Sequence, residues 1–156
     1  MSLVLLPAKG SAGFRNILAA ATDFMALGPF AKGHILRRVT VTAGGSGEAG
    51  PPPLNFSLAV CGGPGLSQAN FGSGISLIDF SDNIDAGDLM VLLGPIQSFY
   101  ARYEFFPGWV FGTGAQWLLV KAGNAGAVLA QQVFVSCEVW RLARFSEQGM
   151  RAEEPS

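Results

Sequence analysis

The sequence predicts an all-β fold, an antiparallel β-sandwich of jelly-roll type with about eight strands. Three observations predict it. Short apolar runs alternate with a period of two, the mark of a strand with one face buried. Gly, Pro, Asn or Asp bounds nearly every run, giving turn signals at the spacing of a sandwich. Finally, 21 glycines in 156 residues are too many for a helical bundle, since each interior Gly costs a helix about 1 kcal/mol relative to Ala.

Each element can be justified in turn. Residues 1–30 read as an N-terminal arm that includes an apolar stretch at 3–7. Its segment 11–29 carries two readings. Phe14, Ile17, Leu18, Ala21, Met25 and Leu27 fall close to a helical stripe between Ser11 as a cap and Gly28-Pro29 as a stop, but an extended chain serves equally. Residues 31–145 form the sandwich domain. In it, 34–42 places Ile35, Val39 and Val41 on one side. Residues 54–61 alternate Leu54, Phe56, Leu58 and Val60 with Asn55, Ser57, Ala59 and Cys61. Residues 133–140 set Val133, Val135, Cys137 and Val139 against Phe134, Ser136, Glu138 and Trp140. The runs 75–80 and 96–106 are further strands, and the polar residues 146–156 read as a frayed tail.

Two runs, 88–94 and 115–123, are apolar on both faces. A domain of this size has one interior, so the second face must be covered by something else, and a neighbouring subunit is the expected cover. That reasoning selects Val91, Leu93, Trp117 and Leu118 as interface candidates, joined by Tyr103 and Trp109 from the aromatic-rich stretch between the runs.

The chemistry available is narrow. Ten basic and eleven acidic residues leave a net charge of −1, which supplies no field for nucleic acid or an anionic membrane, so neither is an expected partner. No run is apolar enough to span a bilayer, and the first residues lack the charge and apolar length of a secretory signal. Cys61 and Cys137 read as a reduced, buried pair, because the length needs no staple. His34 is the single histidine. It cannot furnish a metal set with two unspaced cysteines, and no G-x-S-x-G elbow accompanies it, so it reads as a strand-start residue and the chain as no enzyme. The Gly-rich stretches 42–53 and 61–74 lack the signatures of phosphate loops and read as loops at one end of the sandwich. No cofactor is expected. Asp79, Asp82, Asp85 and Asp88 could converge on calcium, although Asp-Asn and Asp-Ala-Gly are ordinary turn chemistry.

The segments FAKGHILRRVTVTAGG (30–45), LAVCGGPG (58–65) and WLLVKAGNAGAVLAQQVFVSCEVWRLAR (117–144) resemble the small β-sandwich or jelly-roll virion proteins of tailed bacteriophages, which decorate capsids or form spikes and tail parts. The resemblance implies a symmetric homo-oligomer, often a trimer, docked on a larger capsid or tail protein. It implies a place in the virion after synthesis in the host cytoplasm, and carries no catalytic residue. The sparse charge and the two-faced strands lead independently to a structural subunit whose function is assembly. The other reading is a carbohydrate-binding module that stacks sugars on Trp109, Trp117 and Tyr103, with calcium at the Asp cluster.

Overall fold

The computed structural model describes residues 2–46, 54–79, 90–93, 98–112, 116–124, 126, 129–145 and 152–153. The elements run β1 (Ser2–Ile17), β2 (Thr22–Phe30), β3 (His34–Ser46), β4 (Leu54–Cys61), α1 (Gln68–Ser73), β5 (Ile75–Asp79), β6 (Met90–Leu93), β7 (Ser98–Phe105), β8 (Trp109–Val110), β9 (Gln116–Asn124), β10 (Gln131–Phe145) and β11 (Ala152–Glu153).

Two antiparallel sheets result. One has the order β1-β10-β3-β7-β6, with β8 also on β3 and β11 on β10. The other has the order β2-β9-β4-β5. Leaving aside β6 and the two-residue strands β8 and β11, eight strands remain, and they pair from the ends of the chain inward: β1 with β10, β2 with β9, β3 with β7, β4 with β5. A long hairpin wrapped on itself, first strand beside last, is the jelly-roll topology.

The inward-facing residues make one core. Leu54, Phe56, Leu58 and Val60 of β4 meet Val133, Val135, Cys137 and Val139 of β10, as the period-two reading requires. Strand β3 departs from it. Arg38 pairs with Glu138 and Leu36 with Val139, leaving Arg37 as an extra residue, so the bulge turns Leu36 rather than Ile35 toward Val39 and Val41 in the core.

The N-terminal region also differs from the expected arm. Residues 2–17 pair along nearly their whole length with β10, and 22–30 pair with β9, so both lie within the sandwich. No helix forms at 11–29. Buried Ile17, Met25 and Leu27 satisfy a helical stripe and a pair of strands alike, and the extended form lets two sheets bury them. Asn124 secures the corner between these strands. Its buried side-chain amide donates to the carbonyls of Ile17 (3.1 Å) and Leu129 (2.9 Å), and its Oδ1 accepts from the N–H of Gly126 at 2.9 Å.

The one helix among the described residues, α1, stands where the Gly-rich 61–74 stretch was read as a loop. Ser67 caps it, its Oγ accepting from the N–H of Asn70 at 3.1 Å. Asn70 in turn donates to the carbonyls of Gly63 (2.8 Å) and Gly65 (2.9 Å), which ties the loop into a compact flap. The other Gly-rich stretch is shortened at its start, because β3 continues through Ser46.

Candidate interaction face

The two outer faces of the sandwich are finished differently. On the β2-β9-β4-β5 sheet, Ala59, Cys61 and Leu119 are buried although they point away from the core. Phe71 of α1 covers them, with Ala26 and Trp117 packed alongside. Phe71 also lies 6.1 Å from the ring of Phe24, and Lys121 Nζ sits 5.9 Å over its face. The second apolar face of β9 is therefore closed by the chain's own flap, without a neighbouring subunit.

This reassigns several interface candidates. Leu118 is 0% exposed in the core between the sheets, so it cannot form a seam in the folded chain. Trp117 is half-buried in the flap's contact, and Trp109 packs against the main core from β8. Val91, Leu93 and Tyr103 lie on paired strands, Val91 opposite Tyr100 and Tyr103 opposite Val41, and their side chains fall outside the described residues. Of the calcium candidates, Asp79 ends β5 opposite Ser57, while Asp82, Asp85 and Asp88 lie outside the described residues. His34 does open a strand: its N–H donates to the carbonyl of Ala31 at 3.1 Å, and its carbonyl accepts from the N–H of Phe111 at 2.9 Å. Cys61 and Cys137 are both free and buried. They serve opposite sheets, Cys61 under the flap and Cys137 in the core, where burial pushes the Cys137 thiol up to about 12. Burial raises the Cys61 thiol as well, and its Sγ–H donates to the carbonyl of Asn70 at 3.3 Å.

The opposite outer face, on β1-β10-β3-β7, has no flap among the described residues and is divided lengthwise. Its β3 and β7 half is charged. Arg38 binds Glu138 at 2.8 Å and Glu104 at 3.7 Å, Arg102 binds Glu104 at 2.8 Å, and Glu138 also accepts from Trp140 Nε1 at 2.7 Å. Arg37 lies 5.1 Å over the Trp140 ring and continues this network. On β1 and β10, apolar residues gather in two patches separated by Lys9, Ser136 and Glu138. Register places Leu5 opposite Leu142 and Pro7 opposite Trp140 in one patch, bordered by Leu3 opposite Arg144, and Phe14 opposite Phe134 in the other. Phe14 and Phe134 remain 51% and 46% exposed, and Leu3 and Leu5 are also exposed. Both patches lie along β1, an edge strand of 16 residues.

Sequence reasoning named Phe134 as part of an outer face and gave the arm 1–30 as a whole to subunit contacts, without singling out Leu5 and Phe14 as outward-facing. Leu5 sits in the run 3–7, which is apolar at every position and so does not say which side faces out, and Phe14 sits in 11–29, where the helical stripe masked its place on a strand.

Together, the strand order and the outer faces define a jelly-roll β-sandwich with a flap on one side and a mixed charged and apolar surface on the other. No protein-family model matches the chain, and no curated protein matches it. Among solved structures it is similar to a chain from a structure of infectious bursal disease virus, Gt strain, at 9% identity and a TM-score of 0.23. That likeness covers 99% of this chain and 44% of the other, so the chain spans less than half the length of that neighbour. The fold assignment rests on the chain's own strand pairing.

Proposed function

We propose that the protein is a non-enzymatic structural subunit, a virion component of the capsid-decoration, spike or tail kind, that works by self-association and by docking on a larger shell protein. One observation carries the assembly part: the exposed apolar patches of Leu3 and Leu5 and of Phe14 and Phe134 on β1 and β10, beside a charged and self-paired region of the same sheet. Apolar patches with a polar border are the form of a contact surface, and burying them removes roughly 25 cal/mol of unfavourable hydration per Å². The virion part is supported by the resemblance of the segments at 30–45, 58–65 and 117–144 to phage virion proteins and by a topology that serves capsid and lectin domains alike. That resemblance favours a trimer.

Pro7 and Lys9 interrupt β1 as an edge, since Pro lacks an N–H and a lysine on the edge resists a further strand. The contact is therefore made through the face of the sheet rather than by adding a strand. The test is light scattering after size exclusion across a tenfold concentration range. A fixed oligomer that becomes monomeric in a Phe14→Lys/Phe134→Lys variant with unchanged circular dichroism supports the proposal. A wild-type chain that is monomeric throughout, or a double variant that assembles normally, overturns it.

A further inference from the structure

We infer that the outer face of β1 and β10 is a two-fold contact between copies of this chain. Its axis runs along the strands, so that β1 of each copy lies on β10 of the other and Lys9 of each meets Glu138 of the other. The inference rests on the self-association proposed above and deepens it by fixing the partner surface; a two-fold contact makes a pair, where the resemblance favours a trimer.

The residues of this face stand in rows. Register sets Leu5 beside Leu142, Pro7 beside Trp140, Ala12 beside Ser136 and Phe14 beside Phe134. Lys9 lies in the bulge between the pairs Ala8–Val139 and Ser11–Cys137, at the level of Glu138. Glu138 is four residues from Leu142 and four from Phe134, so the charged row is midway between the apolar patches. Lys9 is exposed and makes no ion pair among the described residues. Glu138 holds Arg38 at 2.8 Å and Trp140 Nε1 at 2.7 Å, yet its side chain is still 38% exposed. A carboxylate accepts about four hydrogen bonds, so a further donor can be met there.

A face that packs on a copy of itself about a two-fold axis must hold that axis in the plane of contact, which leaves two simple choices. An axis across the strands reverses them and lays β1 on β1 and β10 on β10. Because the charged row is central, Lys9 then faces Lys9 and Glu138 faces Glu138, and like charges across a contact are costly. The same axis brings β3 and β7, with Arg38, Arg102 and Glu104, against their own copies. An axis along the strands keeps the rows and exchanges the strands. Leu5 then meets Leu142, Pro7 meets Trp140, Phe14 meets Phe134 and Lys9 meets Glu138, while β3 and β7 stay outside the contact. Twist between facing sheets displaces the ends of a contact more than its centre, and the centre is where the charge match is made.

The test is light scattering on two charge-reversed full-length chains, Lys9→Glu and Glu138→Lys, apart and mixed, with circular dichroism to show that each is folded. Alone, each variant sets like charges in both central rows, and its dissociation constant should rise at least about tenfold over wild type. An equimolar mixture restores opposite charges in both rows and should assemble within about threefold of wild type. A second measurement leaves the bonds of Glu138 intact. With a short bis-maleimide, Ala12→Cys and Ser136→Cys chains should cross-link to each other in a mixture in preference to themselves, Cys61 and Cys137 being buried. If Ala12→Cys cross-links mainly to itself, or the mixed charge variants assemble no better than either alone, the two-fold inference is overturned. In that case a wild-type oligomer dispersed by Phe14→Lys/Phe134→Lys still upholds the assembly reading, whereas a monomeric wild type overturns both.

Discussion

Phe71 lies 6.1 Å from Phe24 with the two rings inclined at 56°, and beside this contact a six-residue helix covers Ala59, Cys61 and Leu119 on the outer face of its sheet. The helix is too short to be stable by itself, so it persists because Ser67 caps its start, Asn70 ties it to the preceding loop and Phe71 buries its ring against Ala59, Cys61 and Leu119. Phe71→Ala is expected to lower stability by about 1–3 kcal/mol in urea unfolding, less than for a fully buried Phe because this ring is half-buried. The same variant should speed alkylation of Cys61, now covered by the flap, and leave Cys137 as slow as before.

Asn124 binds three segments with one buried amide, so its loss leaves the carbonyls of Ile17 and Leu129 and the N–H of Gly126 without that partner. Asn124→Ala should cost about 2–4 kcal/mol by denaturant titration, because desolvated polar groups left unpaired are penalised beyond the lost bonds. A cost near zero would show that the corner is held by packing alone.

Leu118 and Phe134 make a paired test of interior against surface. Leu118→Lys places a charge in the core and should abolish cooperative folding, a loss above about 4 kcal/mol. Phe134→Lys alters a side chain that is 46% exposed and should shift stability by less than about 1 kcal/mol while changing the solution mass.

Cys137 couples stability to alkaline pH. Its folded thiol is raised from 9.0 to about 12, so above pH 9 the unfolded chain releases a proton that the folded chain keeps. Stability is therefore intact below pH 9 and falls between pH 9 and about 12, with a slope approaching about 1.4 kcal/mol per pH unit. Cys61, raised in the same direction, adds to the decline. Denaturant melts of wild type and Cys137→Val across this range should show a shallower slope in the variant.

The Arg38–Glu138 pair is short but lies at the surface, each side chain more than a third exposed. Glu138→Gln should change stability by less than about 1 kcal/mol, and the difference should shrink as salt is raised toward 1 M. A larger, salt-insensitive loss would mean that the Trp140 hydrogen bond to Glu138, rather than the ion pair, anchors the network.

Much of this protein was legible one residue at a time. The alternation at 54–61 and 133–140 determined which side chains face the core, because a strand's period of two leaves only that choice once one face is apolar. The turn residues and glycine content determined the class of fold, and His34 opened a strand as expected. The tertiary structure decided the rest, for reasons that local pattern does not carry. The bulge at Arg37 exchanged Ile35 for Leu36, since a single extra residue inverts the faces beyond it. Residues 11–29 became strand because β10 and β9 offered partners for the whole length, a long-range pairing that outweighs a helical stripe. Burial of both faces of β9 was legible; that the second face is covered by Phe71 rather than another subunit was not, because the alternation of a strand records that a face is buried but not what buries it.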